Sequence, residues 1–277
     1  MRELIVSEND QQIDTTFRLF GSQENFSKGH EEAKEAIFNS ARRPTNLLPP
    51  VIRYISGSGR FILLERPPQV MDFYYHGTKK NAVSEATLQE YQLPLPWTTY
   101  AIGLDDRYRP YMAHVFCSQT AITGLDHKLF LLPITNYDSE GKFCAPFPID
   151  HVPKGISEGI NTAYSVIWES NFNRDIEDCI RLAYQYRRPW SIFQGKGERR
   201  EIGEGERVKA SHLFKRWEEF TLDEVLEWKD WLPIRWNGRK QLRVSDVIVF
   251  LRNSEQQFNS TLMINKMRQK LMIDDQH

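Results

Sequence analysis

The residues whose type and spacing suggest chemistry are Asn136 and Cys144, in the stretch L-L-P-I-T-N-Y-D-S-E-G-K-F-C-A-P-F-P from Leu131 to Pro148. A thiol eight positions after an amide offers a nucleophile with a donor nearby to hold an oxyanion. Between them, Tyr137-Asp138-Ser139-Glu140-Gly141 reads as a tight turn, since Asp and Ser bond to nearby backbone and Gly141 takes positive φ without steric cost. Pro146 and Pro148 have no N–H to give a ladder, so the chain is expected to leave any sheet after Cys144. The same residues admit a second reading, in which Asn136 closes a turn and Cys144 is a small packed side chain.

The elements that must position this stretch form a run of strands before it and helices after it. V-I-R-Y-I-S and R-F-I-L-L-E flank Gly57-Ser58-Gly59 and read as a hairpin. Q-V-M-D-F-Y-Y-H reads as a third strand. Leu93-Pro94-Leu95-Pro96 reads as a rigid extended crossing that lies outside any helix or central strand. W-T-T-Y-A-I-G-L-D and P-Y-M-A-H-V-F-C-S, joined at Asp105-Asp106-Arg107, make a second hairpin, and K-L-F-L-L-P-I-T-N is the strand that leads into the turn.

Beyond Pro148 the pattern turns helical. Ile160, Tyr164, Ile167 and Trp168 recur at helical spacing, and D-I-E-D-C-I-R-L-A-Y-Q-Y-R-R continues it with Cys179 on the apolar face. Thr221 with Glu224 forms a capping box before V-L-E-W-K-D-W; Ser245-Asp246 caps V-I-V-F-L; an amphipathic stretch runs from about Gln256 to Met272. Near the start, Glu31 to Arg42 reads as a helix stopped by Pro44.

These elements predict an α+β fold: an antiparallel meander sheet followed by helices, with a C-terminal helical extension. The expected divisions are an N-terminal helical segment over 1–48, an α+β domain over 49–193, a mobile charged loop over 194–209, and the helical extension over 210–277. With 277 residues, 40% hydrophobic and 26% charged, the chain is ordinary for a globular protein, and its net charge of -1 gives no general pull towards nucleic acid or anionic membrane. No apolar run reaches bilayer length, and no signal peptide is expected at the N-terminus. Three widely spaced cysteines without a C-x-x-C argue against a disulfide framework or structural zinc and for a cytoplasmic setting.

Three further features compete for function. Gly195-Lys196-Gly197 resembles a phosphate loop in composition but lacks its spacing and a feeding strand. Tyr184 to Trp190 interleaves aromatics with Arg187 and Arg188, a pattern that stacks bases, although a helix C-terminus accounts equally for the two arginines. Trp228, Trp231 and Trp236 form either core or a docking surface for a protein partner.

N-Y-D-S-E-G-K-F-C resembles the active-site segment of ubiquitin-conjugating enzymes. There an Asn precedes the catalytic Cys by eight residues and a Gly by three, as Asn136, Gly141 and Cys144 do here. The chain is more specifically similar to a divergent prokaryotic ubiquitin-conjugating-like family that includes protein B of PRTRC plasmid gene clusters. The matching features are Leu93-Pro94-Leu95-Pro96, Gly141 with Cys144, and Trp168 with Phe172, over roughly residues 50–180. The family's His-Pro before the Asn is absent, with Ile134 and Thr135 in its place. The resemblance implies a thioester to a ubiquitin-like protein on Cys144, an oxyanion contact from Asn136, an activating enzyme as partner, a mobile-element setting, and no cofactor or metal. The competing expectation is a non-catalytic interaction or structural subunit, meeting a protein or nucleic acid through the Trp-rich tail or through Arg187, Arg188 and Trp190.

Overall fold

Continuous burial of the central strands and two local turns organise the sheet. The computed structural model describes residues 51–76, 88–144, 147, 151–169, 172–173, 176–194, 210–234, 236 and 241–274. β1 (Val51–Ile55) and β2 (Phe61–Arg66) pair antiparallel around a turn in which Gly59 takes φ 73° and the Ser56 N–H donates to the Phe61 carbonyl at 2.8 Å. β5 (Trp97–Leu104) and β6 (Pro110–Ser118) pair around a second turn, held by the Asp105 carboxylate accepting from the N–H groups of Arg107 and Arg109. Both hairpins follow the sequence expectation.

β2 also pairs with β5, and the sheet grows outward through β7 (Lys128–Leu131) and β8 (Leu242–Arg243) to the order β1-β2-β5-β6-β7-β8. The fold is α+β, an antiparallel sheet with helices after it.

The third expected strand forms, but outside this meander. β3 (Gln69–His76) and β4 (Leu88–Leu95) make a separate two-stranded ribbon. Leu93-Pro94-Leu95 is therefore ladder rather than crossing, with Pro94 opposite Val70. A two-stranded ribbon has only edges, so a residue without an N–H is tolerated there. The Pro94 carbonyl is used on its other side, accepting from Trp217 Nε1 at 3.0 Å.

The pleat separates two covered faces. Leu64, Tyr100 and Val115 lie side by side across β2, β5 and β6, and Tyr100 meets Tyr164 and Trp168 of helix α1 (Ile156–Trp168). The alternate residues, among them Phe61, His114 and Phe116, face the other way. There Phe61 meets Phe258, and His114 meets Phe250, of the long helix α6 (Val244–Asp274). Helix α2 (Asp178–Tyr186) follows α1, and α3 (Trp190–Gln194), α4 (Ala210–Trp217) and α5 (Leu222–Leu226) complete the helical part.

The C-terminal residues do not form a separate extension. β8 supplies the sixth strand, α4 and α5 pack on β4, α6 packs on β2 and β5, and one core cluster includes Trp217, Trp231, Val247 and Leu251 together with the strands. The Thr221–Glu224 capping box forms as expected, but α5 ends at Leu226, so Trp228 and Trp231 follow the helix instead of riding on it. The two stretches expected as a capped helix and an amphipathic tail are one continuous helix, α6, with Asp246 accepting from the Arg243 N–H at 3.0 Å. The N-terminal segment over 1–48, Gly195-Lys196-Gly197 and nearly all of the charged loop lie outside the described residues. No described helix is long and apolar enough to cross a membrane.

Candidate functional site

β7 is short. It covers only Phe116 and Cys117 of β6, which leaves the earlier half of that edge open. The chain turns at Asn136, whose φ of 63° is in the left-handed region that Asn tolerates better than most residues. It then forms a narrow hairpin whose returning arm fills the open edge. The Val115 N–H donates to the Gly141 carbonyl and the Phe143 N–H to the Ala113 carbonyl, both at 2.8 Å.

The hairpin tip is tightly determined. Asp138 Oδ1 accepts from the N–H groups of Glu140 and Lys142, each at 2.9 Å, and the Gly141 N–H donates to the Asp138 carbonyl at 3.0 Å. Gly141 has φ 76°, and a Cβ on it would lie 2.8 Å from the Val115 carbonyl oxygen. The turn expected between Tyr137 and Gly141 is thus present, and Gly141 is needed both for its φ and for its close approach to β6.

Asn136 is gripped from outside the hairpin. Its N–H donates to the Ile176 carbonyl at 3.0 Å, and its Oδ1 accepts from the Asn173 N–H at 3.2 Å. With Oδ1 committed to a backbone donor, the orientation of the amide is fixed, and Nδ2 has no acceptor among the described residues. Asn173 was not singled out in the sequence, because its contribution is a backbone N–H that no side-chain pattern announces.

Cys144 closes the hairpin neck, its N–H donating to the Asn136 carbonyl at 3.0 Å. It is the exposed cysteine; Cys117 and Cys179 are buried. Its sulfur lies 3.4 Å from the Lys142 carbonyl oxygen, so the thiol is partly shielded although the residue is exposed. That desolvation, followed by the Asp138 carboxylate, pushes the thiol pKa up, with Lys142 opposing. Cys179 packs beneath the hairpin and donates to the Asp138 carbonyl at 3.0 Å. His151, seven residues after Cys144, has its Nε2 3.1 Å from Glu158 Oε1.

The remaining candidates separate by burial. Trp228, Trp231 and Trp236 are all buried within the chain. Trp228 and Trp231 pack ring to ring at 5.3 Å beside Trp217, and Trp236 packs between His114 and Phe250, each centroid 5.2 Å away. Their faces are taken up by core contacts and are not presented as a docking surface.

Arg187, Arg188 and Trp190 are exposed. Arg187 ends α2 in the left-handed conformation, and its guanidinium carbon sits 5.5 Å from the Trp190 ring centroid. The Trp190 N–H is held by Asp230 Oδ2 at 2.6 Å. The structure brings Asn136 and Cys144 together through their backbones. Among the described residues no group of three His, Cys, Asp or Glu could hold a metal ion.

No family model matches this chain, and neither a curated protein nor a solved structure matches it.

Proposed function

We propose that the protein is ubiquitin-conjugating-like and carries the C-terminus of a ubiquitin-like protein as a thioester on Cys144. The supporting observation is one exposed thiol at the neck of a rigid hairpin, joined at 3.0 Å through its backbone to Asn136, whose Nδ2 has no acceptor among the described residues. In the reaction, the thiolate displaces the leaving group of an activated acyl donor and the S–C bond forms. A target amine then attacks the thioester carbonyl, Asn136 Nδ2 donates to the developing oxyanion, and the thiolate departs. Desolvation and the Asp138 carboxylate outweigh Lys142, so the thiol pKa is raised on balance, and transfer depends on an activated donor rather than on an unusually reactive thiol.

The test uses a peptide α-thioester ending in Gly-Gly as donor and free lysine as acceptor, followed by intact mass. Wild type acquires a hydroxylamine-sensitive adduct that Cys144→Ala does not. Asn136→Ala loads equally but discharges to lysine about 10²-fold more slowly, the range for losing one oxyanion donor. Equal discharge by both proteins would remove Asn136 from the chemistry.

A second reading rests on a different observation. Tyr186 is 46% and Trp190 39% exposed beside Arg187 and Arg188, which supports a non-catalytic subunit that meets a protein or nucleic-acid partner on this edge. Binding lost in Trp190→Ala and retained in Cys144→Ala favours that reading over the first.

A further inference from the structure

Arg66, the last residue of β2, is 5% exposed, although it is a cation. Its Nε and Nη1 are buried without a hydrogen-bond partner, and among the described residues no carboxylate lies within ion-pair distance of it. By contrast, Arg53 on the neighbouring strand is paired with the buried Glu65. The guanidinium carbon of Arg66 lies 4.0 Å from the centroid of the Tyr164 ring in α1, a contact that offsets only part of the cost of desolvating a charge.

The surroundings are polar and carry no negative charge. Thr98 stands opposite Arg66 in the β2–β5 register and is fully buried; its Oγ1 and the buried Tyr164 hydroxyl have no partner at hydrogen-bonding geometry, their polar neighbours being the Tyr100 hydroxyl and the Arg66 guanidinium respectively. Tyr100, two residues along the same face, packs on Tyr164 with ring centroids 4.9 Å apart and accepts from Trp168 Nε1 at 3.1 Å. A full positive charge, two hydroxyl donors and no negative charge thus converge under α1. A charge buried this way is costly unless it is neutralised, and the described part of the chain supplies nothing to neutralise it.

We propose that Arg66, Thr98 and Tyr164 form a binding site for a small monocarboxylate. One guanidinium with two free nitrogens matches the two oxygens and single charge of a carboxylate, and the neutral hydroxyls of Thr98 and Tyr164 add donors without adding charge. A phosphate dianion would need a second cation, which this face does not provide. Because Arg66, Thr98 and Tyr164 are all nearly inaccessible, the ligand is of formate or acetate size and enters by local opening of α1. The site is independent of the hairpin thiol.

The test titrates the full-length protein with sodium formate, acetate, chloride and inorganic phosphate at constant ionic strength, following the Arg66 Nε–H resonance and the thermal midpoint. Saturable movement of both by formate and acetate, and by neither chloride nor phosphate, is expected. Thr98→Val should weaken binding about tenfold without changing the fold, and Arg66→Met should abolish the response. If Arg66→Met does not fold, the resonance and Thr98→Val still decide. An Nε–H indifferent to every anion, meaning internal water alone satisfies it, overturns the proposal; so does a response to phosphate larger than to formate, or one unchanged in Thr98→Val.

Discussion

The Cys179 thiol donates to the Asp138 carbonyl at 3.0 Å, so a buried cysteine of α2 props the backbone of the hairpin whose exposed end carries Cys144. Two cysteines that look alike in the sequence therefore have opposite roles, one inside and structural, the other outside and open to reagents. Alkylation of the native protein should label Cys144 and leave Cys179 and Cys117 unmodified until unfolding.

The charge on Asp138 sets part of the thiol's acidity. Desolvation raises the Cys144 pKa most, and the Asp138 carboxylate raises it further. Asp138→Asn keeps an Oδ1 that accepts from Glu140 and Lys142 but removes the negative charge. The thiol pKa should fall, and iodoacetamide labelling at pH 8 should speed up by about two- to threefold, since rate follows thiolate fraction. The pH–rate profile would move to lower pH; a profile that stays put would mean the carboxylate is fully screened.

Gly141 should tolerate no side chain. At φ 76°, with a Cβ 2.8 Å from the Val115 carbonyl, alanine is both strained and blocked by backbone. Gly141→Ala should cost about 1–3 kcal/mol in urea unfolding and loosen the returning arm from β6. Gly57, where a Cβ would meet nothing within 4 Å, is the control, and Gly57→Ala should change stability little.

His114 should make the protein acid-sensitive. Burial among Phe116, Trp236 and Phe250 lowers its pKa from 6.5 to about 4. The unfolded chain then binds a proton that the folded chain refuses, so this contribution is fully present above pH 6.5 and is lost as pH falls towards 4. Its size is about 3 kcal/mol. His114→Phe should flatten the stability profile between pH 6.5 and 4, as read by chemical denaturation at each pH.

What could be read from the sequence follows the range of the interactions involved. The β1–β2 and β5–β6 hairpins were legible because their turn residues, Gly57-Ser58-Gly59 and Asp105-Asp106-Arg107, lie beside the strands they join. The turn at Asp138–Gly141 was legible for the same reason. The ribbon of β3 and β4 was not, since Pro94 argues against a strand unless the strand is known to be an edge. The pairing of Leu129 with Leu242 has no local signature at all. Arg66 escaped notice because an arginine before Pro67-Pro68 at a strand end reads as exposed, and only the position of α1 makes it buried.

The late strand β8 has a consequence for how the chain is made. β7 receives its outer neighbours, Leu232 and Pro233 and then β8, only when residues 232–243 have been synthesised, long after the other strands of the sheet. Folding is thus delayed by a distant contact, and a product released before that point carries an open strand edge able to pair with other chains. Two residues far along the chain from β7, Leu242 and Arg243, act in this way as a late cover for its edge.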